Sequence, residues 1–425
     1  MIPYVHPLSH LFDEAFETKS LQCVSCGRCK TLCAAFPRFY RLRAEEDAGI
    51  PHTEADYQAA LDLCCLCGQC ELRCPANLEL AQQMARAKFR RVAREGLPLG
   101  DRFLTRTDWI GRWGSRLAPL SNLLVRSGPV RWLAERGLGV DRRRVLPPFR
   151  RETLDRWTAA RVPARWNGPP NGRVAYFPGC TTRYHYPSIG KAAVEVLEKN
   201  RVDVAVVGEA CCGLPSLSAG DEATAREAAQ AQVDALLPWV EKGYALVFTD
   251  CNCAHQMKHN VPAFWPSEEA RRVAEAVTDL ATYLWTLLRT RRLQQDFRPI
   301  RERVGYHYAC HARSLRFGNN TVDVLRAVPG LSVEYLDLCC GMGGAFGMKK
   351  PFYETSLEMG EGLFQEIRRR NPDRIVTDAP LCGLQITQQT GIPTLHPVEL
   401  LWEAYRPAPQ GRPAARGNDP LGPQG

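Results

Sequence analysis

The sequence predicts an α + α/β chain: an N-terminal helical domain with two cysteine runs, then two α/β units that repeat one another. Three observations carry this. All eighteen cysteines fall into four tight groups, with none outside them. From Arg173 onward, short apolar runs alternate with longer amphipathic ones. The cysteine spacing of that second part then occurs twice in the same order. Cysteines scattered for packing would not sort this way.

The first group is Cys23-x2-Cys26-x2-Cys29-x3-Cys33, and the second contains Cys64-x2-Cys67-x2-Cys70-x3-Cys74-Pro75. This is the spacing of bacterial two-cluster ferredoxins, in which three thiolates on a short loop reach one cubane and the fourth reaches the other. The spacing therefore assigns Cys23, Cys26, Cys29 and Cys74 to one [4Fe-4S] cluster. Cys64, Cys67, Cys70 and Cys33 take the second. Ala34 stands where proline is usual, which affects the turn and no ligand. Cys65 is one thiol too many and reads as a buried spectator. Paired C-x2-C motifs also bind zinc, but four cysteines at 2-2-3 spacing, twice over, fit zinc poorly.

These runs define a helical ferredoxin domain over 1–100. Its last helix is expected over Asn77–Glu95, with Asn77 as cap, Gly96 as stop, and Leu78, Ala81, Ala85, Phe89 and Val92 on one face. Residues 101–172 form a basic amphipathic linker. From Asp101 to Arg151 the chain has 12 Arg against 4 acidic residues, almost the whole of its net charge of +9. Trp109, Trp113, Trp132, Leu123 and Leu124 are interleaved with those arginines. Arginine among tryptophan and leucine reads as a segment lying on an anionic membrane face. Docking of an acidic partner subunit is the competing use, and nucleic acid fits least. Between Pro147 and Gly172 weak periodicity marks an interdomain connection.

Strands are expected at Arg173–Gly179, Val202–Gly208 and Ala245–Asp250, and again at Val304–Ala309, Leu331–Asp337 and Arg374–Thr377. Helices over Ser188–Lys199, Asp221–Val240 and Glu354–Arg370 intervene, so the sheets should be mostly parallel. One unit (173–300) carries Cys180, Cys211, Cys212, Cys251 and Cys253. The other (301–405) carries Cys310, Cys339, Cys340 and Cys382. The gaps agree: 30 and 28 residues before each Cys-Cys pair, 40 and 41 after it. Each anchor follows a strand, and loops at the carboxyl ends of parallel strands converge on one edge. All nine cysteines are thus candidate metal ligands. Residues 406–425, rich in Pro and Gly, are expected to be disordered.

A length of 425 residues suggests about three domains. Met1–Phe16 contains Asp13 and Glu14 and no apolar core, so no signal peptide is expected. Reduced, metal-binding cysteines in the cytoplasm are the better reading of this composition. No apolar stretch approaches the ~20 residues of a spanning helix.

The segments Tyr176-Phe177-Pro178-Gly179-Cys180 and Cys339-Cys340-Gly341-Met342-Gly343-Gly344 resemble the CCG domain of heterodisulfide reductase-type proteins. With two ferredoxin runs ahead of them, the layout from about 20 to 403 resembles the C subunit of anaerobic glycerol-3-phosphate dehydrogenase. The iron-sulfur subunits of glycolate and lactate oxidation are similar too. The resemblance implies an electron-transfer subunit, peripheral on the cytoplasmic face of the inner membrane. It would carry electrons from a FAD-containing dehydrogenase subunit to a membrane quinone. It also implies a further iron-sulfur cluster, of non-cubane type, in the CCG units. The first unit ends in Cys251-Asn252-Cys253 instead of the family's C-x2-C, and Ala379 stands where the second unit's earlier cysteine would be. On that count the first unit has five thiols for a non-cubane cluster, and the second has four for a plain cluster or zinc. A thiol/disulfide redox catalyst and a zinc-binding scaffold are the rival functions. His185 and His311 stand near cysteines as ligands, as hydrogen-bond donors to cluster sulfur, or as ordinary core residues. His255 and His259, four apart, are a weaker metal pair. The glycines Gly341, Gly343, Gly344 and Gly347 follow Cys-Cys and lack a later acidic anchor, which argues against a dinucleotide loop. No catalytic residue is assigned.

Overall fold

The computed structural model describes residues 23–407 except 25, 31, 32, 209 and 210. The segment read for a signal peptide, and the tail from 408 on, lie outside the described residues. Among the described residues, eight parallel strands form two sheets. The first contains β1 (Gly172–Phe177), β2 (Val202–Val206), β3 (Ala245–Phe248) and β4 (Val277–Asp279), in the order β2-β1-β3-β4. The second contains β5 (Arg303–His307), β6 (Ser332–Leu336), β7 (Arg374–Thr377) and β8 (Thr394–Leu395), in the order β6-β5-β7-β8. The topology is the same twice, as the cysteine spacing requires. Val174, Ala175, Tyr176 and Phe177 are all buried, because helices cover both faces of a parallel sheet. The six expected strands are present: Arg374–Thr377 has the expected bounds and the other five end one or two residues earlier. The structure adds β4 and β8, whose two or three residues are too few to carry a periodic signal.

The two repeats pack about a pseudo-twofold axis. Helix Pro187–Lys199 lies against Pro397–Tyr405, and helix Leu280–Arg289 lies against Asn320–Arg326. In each contact, the helix after the first strand of one repeat meets the helix after the last strand of the other. Such reciprocal contact is the signature of an isologous interface. Val194, Leu197, Leu284, Leu325 and Leu401 share one core across it.

Polar contacts lock the seam. Within the second repeat Tyr306 Oη–H donates to Asp378 Oδ2 at 2.6 Å, and across the seam Cys251 N–H donates to Asp378 O at 3.1 Å. His396 donates from Nε2 to Thr249 O at 2.9 Å, while its Nδ1 accepts the Val398 N–H at 3.1 Å. Burial pushes the His396 imidazole down to about 4, whereas an unfolded histidine titrates near ~6.5. Between those values the unfolded chain holds a proton that the folded chain refuses. Stability attached to His396 is therefore complete above the unfolded value and is lost as pH falls toward the folded one, by up to ~3 kcal/mol. Urea titrations across that window should show a shallower acid loss in His396→Gln than in the parent.

At the N-terminus, helices Ala35–Asp47, Glu54–Asp62 and Leu80–Glu95 enclose Phe36, Phe39, Leu42, Leu61 and Met84. The last helix starts three residues later than expected. Asn77 takes a positive φ of 50°, a left-handed turn that asparagine tolerates, so it ends a loop instead of capping the helix. Lys88 is buried beneath this domain and donates from Nζ to Cys64 O at 2.5 Å and to Ser218 O at 3.2 Å. It joins the domain to the first repeat.

The expected linker is a strap. It forms helices Leu99–Leu104, Thr107–Arg116, Ala118–Arg126, Gly128–Leu138 and Leu154–Ala160. Its inner side is docked: a Cβ on Gly111 would meet the Tyr184 ring at 2.1 Å. The buried Arg144 donates from Nε to Gly347 O at 2.7 Å, on the second repeat. The outer side leaves Trp109, Trp113, Leu117, Leu120, Leu123, Leu124 and Leu133 exposed.

Candidate functional site

The two N-terminal runs exchange their fourth cysteines. Cys23, Cys26, Cys29 and Cys74 line one cavity, together with Tyr40, Pro75, Leu78 and Leu80. Tyr40 Oη lies 3.7 Å from Cys29 Sγ, and Lys30 Nζ sits 3.8 Å from the Tyr40 ring centre. Burial raises the Cys29 thiol. Cys33 has gone to the other run: burial pushes its thiol up, and the charges bearing on it are those of Cys64 and Cys67. Burial likewise raises Cys70, with Cys67, Cys64 and Cys33 among its charged neighbours. Left-handed glycines Gly27 and Gly68, at φ of 69° and 70°, turn the two loops. Four thiols around one apolar hollow, and a second four within each other's electrostatic reach, suit the thiolate ligation of iron-sulfur clusters.

The repeats gather their cysteines at the carboxyl ends of β1, β2 and β3, and of β5, β6 and β7. In the first, Cys180 Sγ is 3.9 Å from Cys211 Sγ, and Cys212 hydrogen-bonds with both Cys211 and Cys253. Gly179 has a φ of +73°, and a Cβ there would lie 2.9 Å from Cys253 Sγ. Only glycine clears that sulfur. Asp108, from the strap, accepts the Cys211 N–H at 2.5 Å. In the second, Cys340 is paired by hydrogen bond with Cys382, which lowers the Cys340 thiol. Cys339 Sγ accepts the Gly341 N–H at 3.3 Å, and Cys340 Sγ accepts the Met342 N–H at 3.5 Å. Backbone donors of this kind favour thiolate over thiol. Cys251, counted in sequence with the first repeat, has Cys310 of the second as a charged neighbour.

The second cysteine run sits directly on the second repeat. Gln69 Nε2–H donates to Cys310 O at 2.8 Å, Ser314 Oγ–H donates to Cys67 O at 3.3 Å, and His311 Nε2–H donates to Leu66 O at 3.1 Å. Cys65, a spectator by spacing, lies in this junction. A Cβ on Gly343 would be 3.3 Å from Cys65 Sγ. Its hydrogen bond to Cys67 lowers the Cys67 thiol. The histidines keep other company. His185 Nδ1–H donates to Pro148 O at 3.0 Å, and His311 also lies 2.6 Å from Asn252 Oδ1. The rings of His255 and His259 have centroids 5.1 Å apart, with His311 stacked on His255 at 4.5 Å. Burial lowers all three, disfavouring their charged forms. Among the described residues, no three His, Cys, Asp or Glu side chains are grouped to hold a single metal ion.

Asp108, Gln69 and Arg144 support the cysteine loops and carry no local signal in the sequence. Cys65 does carry one: a thiol outside the 2-2-3 spacing, next to a proposed ligand, invites a search for a neighbour from elsewhere.

Comparison with known proteins agrees with the twofold repeat. The cysteine-rich CCG domain model matches residues 174–258 and 304–387, one stretch in each repeat. The C subunit of anaerobic glycerol-3-phosphate dehydrogenase from Escherichia coli K12 is 30% identical, over 92% of this chain and 99% of its own. The D subunit of dihydromethanophenazine:CoB–CoM heterodisulfide reductase from Methanosarcina barkeri is 27% identical, over 55% of this chain and 58% of its own. A lactate utilization protein A 2 of Bacillus cereus is 26% identical, over 42% of this chain and 74% of its own. With two CCG repeats behind two crossed cysteine runs, the chain belongs to the family of the anaerobic glycerol-3-phosphate dehydrogenase C subunit, iron-sulfur proteins of heterodisulfide reductase type.

Proposed function

We propose that this chain is the iron-sulfur electron-transfer subunit of a dehydrogenase complex. It accepts electrons from a FAD-containing partner that oxidises glycerol 3-phosphate and delivers them to a quinone in the membrane. The observation that carries the reading is the crossing of Cys33 and Cys74 between the two N-terminal sets. Each set would hold a [4Fe-4S] cluster, and the CCG cysteines would hold further iron-sulfur centres. Bound clusters supply one-electron redox chemistry; the chain's residues space them, exclude water and donate hydrogen bonds to sulfur. The seating of Leu66–Gln69 on Cys310 and His311 supports a short path from the N-terminal clusters into the second repeat. Anaerobic purification with iron and sulfide analysis, followed by EPR of the dithionite-reduced protein, tests the reading. At least about eight iron atoms per chain are expected from two cubanes. A colourless preparation with zinc and no iron would overturn it. Electron transfer from a glycerol 3-phosphate-oxidising flavoprotein to a quinone analogue tests the donor, with a 2-hydroxy acid dehydrogenase as the rival.

The strap supplies the membrane contact in this reading. No helix among the described residues is long and apolar enough to cross a membrane. Trp109 and Leu123 are nevertheless 56% and 67% exposed, amid arginines. Aromatic and aliphatic side chains flanked by arginine suit the boundary of an anionic bilayer. The protein should co-sediment with phosphatidylglycerol vesicles, less so at high salt. The double change Trp109→Ser, Leu123→Ser should weaken the partition about tenfold or more.

A further inference from the structure

We propose that Cys251, although it belongs to the first repeat, is a ligand of the second repeat's centre. The thiols would then divide four to the first repeat and five to the second. The inference rests on the reading above, that both repeats hold metal.

Sheet register separates Cys251 from its neighbours. Phe177 pairs with Phe248 in the first sheet, and His307 pairs with Thr377 in the second. Cys180 and Cys310 each stand three residues beyond the first member of their pair. Cys253 and Cys382 each stand five residues beyond the second member. Cys253 is therefore the structural counterpart of Cys382, and the counterpart of Cys251 is Pro380. Four cysteines match four across the pseudo-twofold axis, and Cys251 is left over.

Its position says where it goes. Cys251 N–H donates across the seam to Asp378 O at 3.1 Å. Its helix, Cys251–His255, packs on helix Cys310–Leu315 of the other repeat. Its buried sulfur takes a hydrogen bond from the Ala312 backbone, and Cys310 and Cys382 both lie within its electrostatic reach. The charges bearing on Cys253 are those of Asp250, Cys180 and Cys211, and its thiol hydrogen-bonds to Cys212. Two residues apart in a Cys-x-Cys run, the sulfurs face different repeats. Cys251, Cys310, Cys339, Cys340 and Cys382 then form a five-thiol set beside Cys65 and Cys67. Such a set suits a larger iron-sulfur assembly than one cubane, which takes four thiolates. The first repeat keeps four thiols, enough for a cubane or zinc. This reverses the division that counting along the sequence gives.

The test uses full-length protein prepared without oxygen, with iron, zinc and sulfide analysis, EPR and Mössbauer spectroscopy. Cys180→Ser and Cys382→Ser define the signals of the first and second repeats. Cys251→Ser should perturb the Cys382-dependent signal and leave the Cys180-dependent one unchanged. The double variant Cys251→Ser, Cys382→Ser should lose no more metal than Cys382→Ser alone, since both act on one centre. Cys253→Ser should do the reverse, removing the Cys180-dependent signal, and it stays informative if Cys251→Ser fails to fold. The proposal is overturned if Cys251→Ser tracks Cys180→Ser, if it changes neither signal, or if Cys253→Ser acts on the Cys382-dependent signal. If neither Cys180→Ser nor Cys382→Ser changes metal content or spectra, the reading of the repeats as metal centres has failed as well, and the Cys251 assignment falls with it.

Discussion

Cys74→Ser should cost the chain about four iron atoms and remove one of two cubane EPR signals. The signal lost should be the one that depends on Cys23, Cys26 and Cys29. Cys74 lies 41 residues beyond Cys33 yet lines the same cavity as those three. A serine there offers a poor ligand to iron and leaves one corner of the cluster open to water. The reciprocal change, Cys33→Ser, should remove the signal that depends on Cys64, Cys67 and Cys70. Cys33 is held for that role: its Sγ accepts the Phe36 N–H at 3.4 Å, just as helix Ala35–Asp47 begins. An uncrossed arrangement would give the opposite pairing, with Cys33→Ser and Cys23→Ser removing the same signal. On the proposed ligation each cubane would tie two distant segments together, so loss of either should also loosen the packing of helix Ala35–Asp47 on Glu54–Asp62. Faster amide exchange at Phe39 and Leu42 would report it.

Much of this is legible from spacing. The crossing of Cys33 and Cys74 follows from 2-2-3 runs alone, because a thiol three residues beyond its neighbours points away from them. The twofold repeat is legible too, since it needs only matching gaps and strand-like apolar runs. What stays hidden depends on the packing of one repeat on the other. Matching gaps pair Cys253 with Cys382 but leave Cys251 with no neighbour outside its own repeat. The seam, where Cys251 donates to Asp378 O, brings it against the other one. Cys65 looks idle because its neighbour Gly343 lies far off in sequence and belongs to the other fold unit. The strap reads as a linker because its anchors are single side chains. Arg144 and Asp108 carry no periodicity, yet they tie the strap to the Gly347 and Cys211 backbones. The expected cap at Asn77 fails for a local reason: asparagine suits a left-handed turn as well as a helix start, and composition does not choose between them.

Gly341→Ala should be the most damaging single substitution outside the cysteines. A Cβ at this position would lie 1.9 Å from Ser356 O, at a backbone φ of +79°. No rotamer relieves that clash, because the obstacle is the backbone of helix Tyr353–Arg370. The approach is mutual: a Cβ on Gly360 of the same helix would lie 2.5 Å from Cys340 O. Gln385 binds the two sides together, donating from Nε2 to Cys340 O at 2.5 Å and to Ser356 O at 3.2 Å. Alanine must therefore push the Cys339-Cys340 loop off the helix and break those hydrogen bonds. Left-handed strain of ~1–2 kcal/mol, overpacking of ~1–3 kcal/mol or more and an unpaired buried amide add to a loss above ~4 kcal/mol. The expected result is a second repeat that melts early in urea and loses the Cys382-dependent metal, while the N-terminal cubane signals persist. Gly344→Ala is the control. Its φ of +63° is also left-handed, but an added Cβ there meets nothing within 4 Å. It should cost only ~1–2 kcal/mol and keep its metal. If both variants behave alike, close approach of the loop to the helix is not what holds Cys339 and Cys340 in place.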